Sequence, residues 1–283
     1  MRYSVNYKEF EQNVNYKEFE QKALKQKDNW WCTNVLRKVS TRISWVIVNI
    51  WPNITPNQLT VVGGSTGVIG ALFLAIPSQL ALIAGSLILL LWTILDALDG
   101  EIARFTGKSS ITGAFLDNAF DHVILTLIFA SLTVHLILIQ SDTWLIISGI
   151  AATTFFVLGR LSVGLRSENL LKADVRLSML GGKPKDEIQN FKRELSAPLA
   201  LLGLYIVDSY DFVIRNYNIV HMVLIFSLLN MVWKPFTVYS FNIPYFVVPI
   251  ILYSVLMPLY FIALVFGLYM ELNLTERKLR AAE

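Results

Sequence analysis

The sequence predicts an all-α fold: a polytopic bundle of six transmembrane helices, preceded by an amphipathic helix lying in the membrane interface. Three observations carry this. Of the 283 residues, 54% are hydrophobic and only 16% charged, with a mean hydropathy of +0.53. Globular chains hold about 25% charged residues. The charge is also unevenly spread: Ile43–Leu95 is a run of 53 residues without Asp, Glu, Lys or Arg. A membrane-crossing helix needs roughly 20 apolar residues, so this run alone has room for two. Disordered, collagen-like, disulfide-scaffold and soluble-enzyme classes are excluded.

Met1–Asp28 is a polar N-terminal tail containing a perfect repeat, VNYKEFEQ at Val5–Gln12 and again at Val14–Gln21. It lacks the apolar core of a cleavable signal peptide. A nine-residue period turns a helix by about half a revolution, so Tyr7 and Phe10 fall opposite Tyr16 and Phe19. The expectation is a tandem duplication in a loosely ordered tail.

Residues 29–56 form the next segment. Leu36, Val39, Ile43, Val46, Ile47 and Ile50 recur at helical spacing, with Arg37, Lys38, Thr41 and Arg42 on the other side. Trp30, Trp31, Trp45 and Trp51 add rings suited to the headgroup layer. An interfacial helix fits, although a helix packed on the protein's own surface would share the pattern. Pro52 and Pro56 then break the chain.

Residues 57–271 are expected to form the transmembrane domain, and 272–283 a cytoplasmic tail. Apolar segments run over Leu59–Ile76, Leu80–Arg104, Gly113–Leu138, Trp144–Arg166, Leu195–Arg215, Ile219–Trp233 and Pro244–Met270, with a charged stretch at Ser167–Glu194. Of 24 Lys and Arg, 22 fall on one side if both termini are cytoplasmic, and the turns at Pro77–Gln79 and Ile139–Thr143 carry none. The positive-inside rule therefore favours an even number of crossings. Asp208 and Asp211 weaken the segment that begins at Leu195, leaving six spans. The same topological bias accounts for the net charge of +3, so no nucleic-acid partner is expected. Cys32 is the single cysteine, so no intrachain disulfide can form.

Five acidic residues lie within 26 positions: Asp96, Asp99, Glu101, Asp117 and Asp121. Carboxylates at membrane depth are costly and point to function. Asp96 and Asp99 share a helix face at the end of the second span, and Asp117 and Asp121 share one at the start of the third. A short Gly- and Ser-containing turn returns the chain antiparallel, so the two pairs can face each other on the cytoplasmic side. Four converging carboxylates repel one another, and divalent cations relieve this. All-oxygen ligands select hard ions such as Mg²⁺, and two such ions can clamp a displacement at phosphorus. Arg104 offers a planar fork suited to a diphosphate. Gly100 allows close approach of a ligand. His122 points away from Asp121 and reads as a packed histidine rather than a ligand.

The spacing Asp96-x-x-Asp99-Gly100-x-x-Ala103-Arg104, then Gly113-x-x-x-Asp117-x-x-x-Asp121 after eight residues, resembles the signature of the CDP-alcohol phosphotransferases (CDP-alcohol phosphatidyltransferases). All eight fixed positions match, an event on the order of 10⁻¹⁰ per start position at ordinary composition. Pro56-Asn57-Gln58-Leu59-Thr60 is similar to the segment that precedes the first span in that family. The resemblance implies two Mg²⁺ or Mn²⁺ ions held by Asp96, Asp99, Asp117 and Asp121, with Asp121 also the general base. It implies that Gly100, Ala103, Arg104 and Gly113, with Asn57, Thr60 and Ser110, hold the cytidine diphosphate. The reaction would be attack of an acceptor hydroxyl on the β-phosphorus of a CDP-alcohol, releasing CMP, in a homodimeric integral membrane enzyme of phospholipid biosynthesis.

A lipid donor such as CDP-diacylglycerol suits a site at the membrane surface. Arg160, Arg166 and Arg193 are candidates for an anionic subsite that takes a phosphorylated polyol acceptor, although loop charge would give the same pattern. Val39–Ser44 with Ile54–Asn57 is similar to the di-myo-inositol-phosphate-phosphate synthase branch, where the donor is a CDP-polyol. An ion-coupled transporter is the competing class. It expects acids at mid-bilayer on several broken helices, whereas here they cluster at the ends of two consecutive ones.

Overall fold

The computed structural model describes residues 14–24, 32–139, 142–179, 216–233, 236–238 and 241–282. The chain forms two compact units, Met1–Ile128 and Phe129–Glu283.

In the first unit the elements are α1 (Tyr16–Ala23), a π-turn at Cys32–Leu36 leading into α2 (Arg37–Ile50), α3 (Pro56–Phe73), α4 (Gln79–Thr106) and the greater part of α5 (Ile111–Leu138). Helix α3 begins where its sequence directs: Pro56 occupies the first turn, and Thr55 and Gln58 form a reciprocal capping box. It then packs along α4. Cβ atoms at Gly70 and Gly85 would lie 3.1 and 2.8 Å from each other's carbonyl oxygens, so two bare backbones set the approach of these helices. Helix α4 ends at Gly107, whose φ of 65° is left-handed and therefore suits glycine. Ser110 follows and caps α5 by accepting a hydrogen bond from Gly113 N at 2.9 Å. This tight turn makes α4 and α5 consecutive antiparallel helices.

The second copy of the VNYKEFEQ repeat is not a loose tail. It forms most of α1, whose Phe19 and Ala23, four residues apart, are fully buried with Val48, Leu59, Leu98 and Ile102. The first copy, Val5–Gln12, lies outside the described residues. Helix α2 carries its apolar stripe on the outside. Its apolar residues Val39, Ile43, Val46 and Ile50 are exposed, whereas Ser40, Thr41 and Ser44 are buried. The apolar stripe faces outward because the polar stripe has a buried partner on α4.

In the second unit, the end of α5 is followed by α6 (Thr143–Met179), α7 (Asn216–Val232), an antiparallel ladder of Phe236–Val238 with Phe241–Ile243, a 3₁₀ turn at Tyr245–Val247 and α8 (Val248–Ala282). In the ladder Phe236 stands opposite Ile243. Phe129 centres an aromatic cluster with Phe156 and Tyr253, at ring distances of 5.3 and 5.0 Å. Helix α6 continues beyond Arg166 to Met179, so the start of the expected charged loop is helical.

Four helical stretches among the described residues are long and apolar enough to cross a membrane: Gln79–Thr106, Ile111–Leu138, Thr143–Ser162 and Tyr245–Phe266. The expected first span falls on α3, which is diluted by Asn57, Gln58, Ser65, Thr66 and its glycines, and Ile219–Val232 is a shorter apolar helix. The expected segment Leu195–Arg215 lies outside the described residues.

Candidate active site

Three helices and one turn bring the signature residues together in the first unit. A cavity of about 160 Å³ is lined by Pro56, Asn57 and Thr60 from the start of α3, and by Asp99, Gly100 and Ala103 from the end of α4. Lys108, Ser109 and Ser110 of the turn, and Gly113, Ala114 and Asp117 from the start of α5, complete it. Eight of the residues expected from sequence thus share one wall-to-wall cavity: Asn57, Thr60, Asp99, Gly100, Ala103, Ser110, Gly113 and Asp117.

Asp99 is only 7% exposed. Its Oδ2 accepts a hydrogen bond from Thr60 Oγ1 at 2.5 Å, and its carboxylate also accepts from the Gly100 backbone. Asp96 lies close to Asp117 and within electrostatic reach of Asp99 and Asp121. All four carboxylates therefore act on one another across the α4–α5 turn. Among the described residues, no group of three or more His, Cys, Asp or Glu stands already assembled in ligating geometry. The donor set itself, four carboxylates with no thiolate and no imidazole, fits a hard divalent cation. His122 is engaged elsewhere, with Nδ1 2.6 Å from the Asn118 carbonyl.

The rim has its own logic. Ser110 Oγ donates to Asn57 Oδ1 at 3.3 Å while accepting from Gly113 N. A Cβ at Gly113 would stand 2.5 Å from Asn57 Oδ1 and 3.0 Å from Ser110 Oγ. Gly113 is thus the residue that lets α3 and the α5 cap meet.

Arg104 does not line the cavity. Its Nε donates to the Ala23 carbonyl at 2.6 Å, and its Nη1 lies 3.2 Å from where a Gly100 Cβ would be. Arg160 belongs to the second unit, with its guanidinium carbon 5.7 Å from the centre of the Phe156 ring. Arg166 lies on α6, and Arg193 falls outside the described residues.

Two residues escaped the sequence reading. Lys108 lines the cavity, placed there by the left-handed Gly107. Glu101, beside the signature but unassigned, is fully buried. It accepts hydrogen bonds from Arg37 Nη1 at 2.9 Å, Ser40 Oγ at 2.6 Å and Ser44 Oγ at 2.7 Å. The carboxylate needs these donors because an unpaired buried charge is very costly. Arg37, Ser40 and Ser44 share one face of α2, a spacing that marks a polar stripe without naming its partner.

Similarity to known proteins agrees with the geometry. A bifunctional IPC transferase and DIPP synthase of Aquifex aeolicus is 37% identical over 109 residues, 38% of this chain and 24% of that protein. An archaetidylinositol phosphate synthase of Pyrococcus horikoshii is 41% identical over 70 residues, 25% of this chain and 36% of that one. The matched stretch thus spans about half or less of the length of these curated relatives. The crystal structure of Mycobacterium tuberculosis phosphatidylinositol phosphate synthase with CDP-DAG bound superposes with a TM-score of 0.51 at 18% identity. That match covers 82% of this chain and 94% of that one, and it establishes a shared fold. The CDP-alcohol phosphatidyltransferase family model matches residues 53–233, well over half of the chain. With four span-length helices and this match, the chain is an integral, multi-pass membrane protein that belongs to the CDP-alcohol phosphatidyltransferase family.

Proposed function

We propose that the protein is a metal-dependent CDP-alcohol phosphotransferase that transfers a phospho-alcohol to an acceptor hydroxyl and releases CMP. The observation that carries this reading is the single cavity in which eight signature and neighbouring residues from α3, α4 and α5 converge. Asn57, Thr60, Gly100, Ala103, Ser110 and Gly113 shape the pocket for the cytidine diphosphate, with Arg104 at its edge. Asp96, Asp99, Asp117 and Asp121 would hold two Mg²⁺ or Mn²⁺ ions. Bound there, these ions supply positive charge to the diphosphate and the departing CMP. Asp121 accepts the proton of the acceptor hydroxyl. The hydroxyl oxygen then forms a bond to the β-phosphorus, and the bond from that phosphorus to the bridging oxygen breaks, leaving with CMP.

A phosphatidyl or related CDP-lipid donor suits a cavity at the end of two membrane helices, where acyl chains can stay in lipid. The exposed apolar stripe of α2 supports its role as the interfacial helix. Charge bias supports six spans with both termini and the site on the cytoplasmic side. Arg160, Arg166 and Arg193 are the acceptor-side candidates for a phosphorylated polyol, and a homodimer follows from the family resemblance. The domain scheme puts the catalytic domain at residues 57–271, between the interfacial segment and a cytoplasmic tail. A second reading, a CDP-polyol donor such as CDP-inositol, is favoured by the similarity to proteins named DIPP synthase.

The test is CMP release by detergent-purified protein with Mg²⁺, using CDP-diacylglycerol and then CDP-inositol. Inositol phosphate and glycerol phosphate are offered as acceptors, and Asp121→Asn is the control. Release that disappears in the control supports the reading, and no release with either donor contradicts it.

A further inference from the structure

We propose that α1 positions Arg104, so that the N-terminal VNYKEFEQ segment is a working part of the donor site. The inference rests on the reading above, in which Arg104 serves the cytidine diphosphate.

Helix α1 ends at Ala23, and Ala23 O accepts the Arg104 Nε hydrogen bond at 2.6 Å. Carbonyls in the last turn of a helix lack intrahelical donors, and the helix dipole gives that end a partial negative charge. A guanidinium is therefore a well-matched partner. Arginine carries five N–H donors in one rigid plane, so anchoring Nε orients the whole fork. Nη1 then stands over Gly100, which lines the cavity. The guanidinium is held at the cavity edge before any ligand arrives.

The placement of α1 is itself strongly specified. Phe19 is fully buried and its ring lies 4.7 Å from that of Phe105, the residue after Arg104. Tyr16 meets Trp45 edge-on at 5.9 Å. Trp45 Nε1 donates to Val14 O at 2.6 Å, and Val14 N donates to Asn49 Oδ1 at 2.9 Å. The repeated segment thus bridges α2 and α4, and α1, which it begins, delivers the Ala23 carbonyl two residues further on to one signature side chain. Immobilising a long side chain costs about 0.5–1.5 kcal/mol on binding. Prior anchoring removes that cost, an effect of about two- to thirteenfold in affinity.

The experiment measures CDP-diacylglycerol binding by calorimetry to the full-length, detergent-purified chain with Mg²⁺. Phe10→Ala and Phe19→Ala are combined, because Phe10 holds in the first repeat the position that Phe19 holds in the second. The pair is expected to weaken binding by about fivefold. Added to Arg104→Ala, it is expected to cause no further loss. Trp45→Phe, a milder change that removes one hydrogen bond to Val14, is expected to shift affinity less and likewise only when Arg104 is present. Wild-type affinity in the Phe pair, or an equal loss with and without Arg104, would overturn the inference and leave α1 a purely structural element. Wild-type protein that binds neither CDP-diacylglycerol nor CDP-inositol would instead overturn the donor-site reading itself.

Discussion

Thr60 Oγ1 lies 2.5 Å from Asp99 Oδ2, tying the second turn of α3 to the carboxylate end of α4. Both residues line the cavity, and the same hydroxyl lies 3.1 Å from Pro56 O. The start of α3 therefore orients a signature carboxylate. Thr60→Val keeps the shape and removes the donor. A hydrogen bond to a charged group contributes about 1.5–3 kcal/mol, so kcat/KM for CMP release should fall by roughly 10- to 100-fold. The melting temperature should fall as well, because the same bond satisfies a buried carboxylate, so kcat/KM is read on the folded fraction. Unchanged kcat/KM would separate Thr60 from the site.

Glu101 makes a different prediction. With no side-chain exposure, and with Arg37 at 12%, the pair is a buried ion pair. Removing one partner of such a pair costs about 3–5 kcal/mol, whereas replacing both by apolar residues is often neutral. Glu101→Leu alone should lower the melting temperature sharply, and Arg37→Met with Glu101→Leu should recover most of it. The measurement is thermal unfolding in detergent for both variants.

At Gly113, alanine would push against Asn57 Oδ1 and Ser110 Oγ at 2.5 and 3.0 Å. Gly113→Ala should therefore weaken donor binding by about tenfold, with a stability loss of about 1–3 kcal/mol from overpacking. Donor titration and thermal unfolding check the two parts separately.

Gly85→Ala tests the helix contact rather than the site. Its Cβ would meet the Gly70 carbonyl at 2.8 Å, a backbone atom that cannot rotate aside. The expected cost is about 1–3 kcal/mol of stability. KM for the donor should be retained in whatever fraction remains folded, as read by CMP-release kinetics.

The site was legible where helical geometry alone decides. Asp96 with Asp99, and Asp117 with Asp121, had to share faces, and the glycine-containing turn had to bring those faces together. Long-range partners were not legible. Glu101 is bonded to residues 57 to 64 positions earlier, and no local spacing reports that separation. The burial of Phe19 likewise depends on a groove that exists only once α2 and α4 have packed. The apolar stripe of α2 was read correctly as a stripe. Its outward direction was set by a buried carboxylate on another helix, which hydrophobic periodicity cannot reveal. Arg104 matched the signature, yet its Nε is bound by a carbonyl from a segment that the charge and hydropathy pattern marked as tail.

The most direct test of the central claim is CMP release from CDP-diacylglycerol or CDP-inositol by the purified protein with Mg²⁺, set beside Asp121→Asn and a chelator control. The account predicts acceptor-dependent CMP release in the wild type that is lost on chelation and in the variant. Folded protein that releases no CMP from either donor, or release that persists in Asp121→Asn, would contradict it.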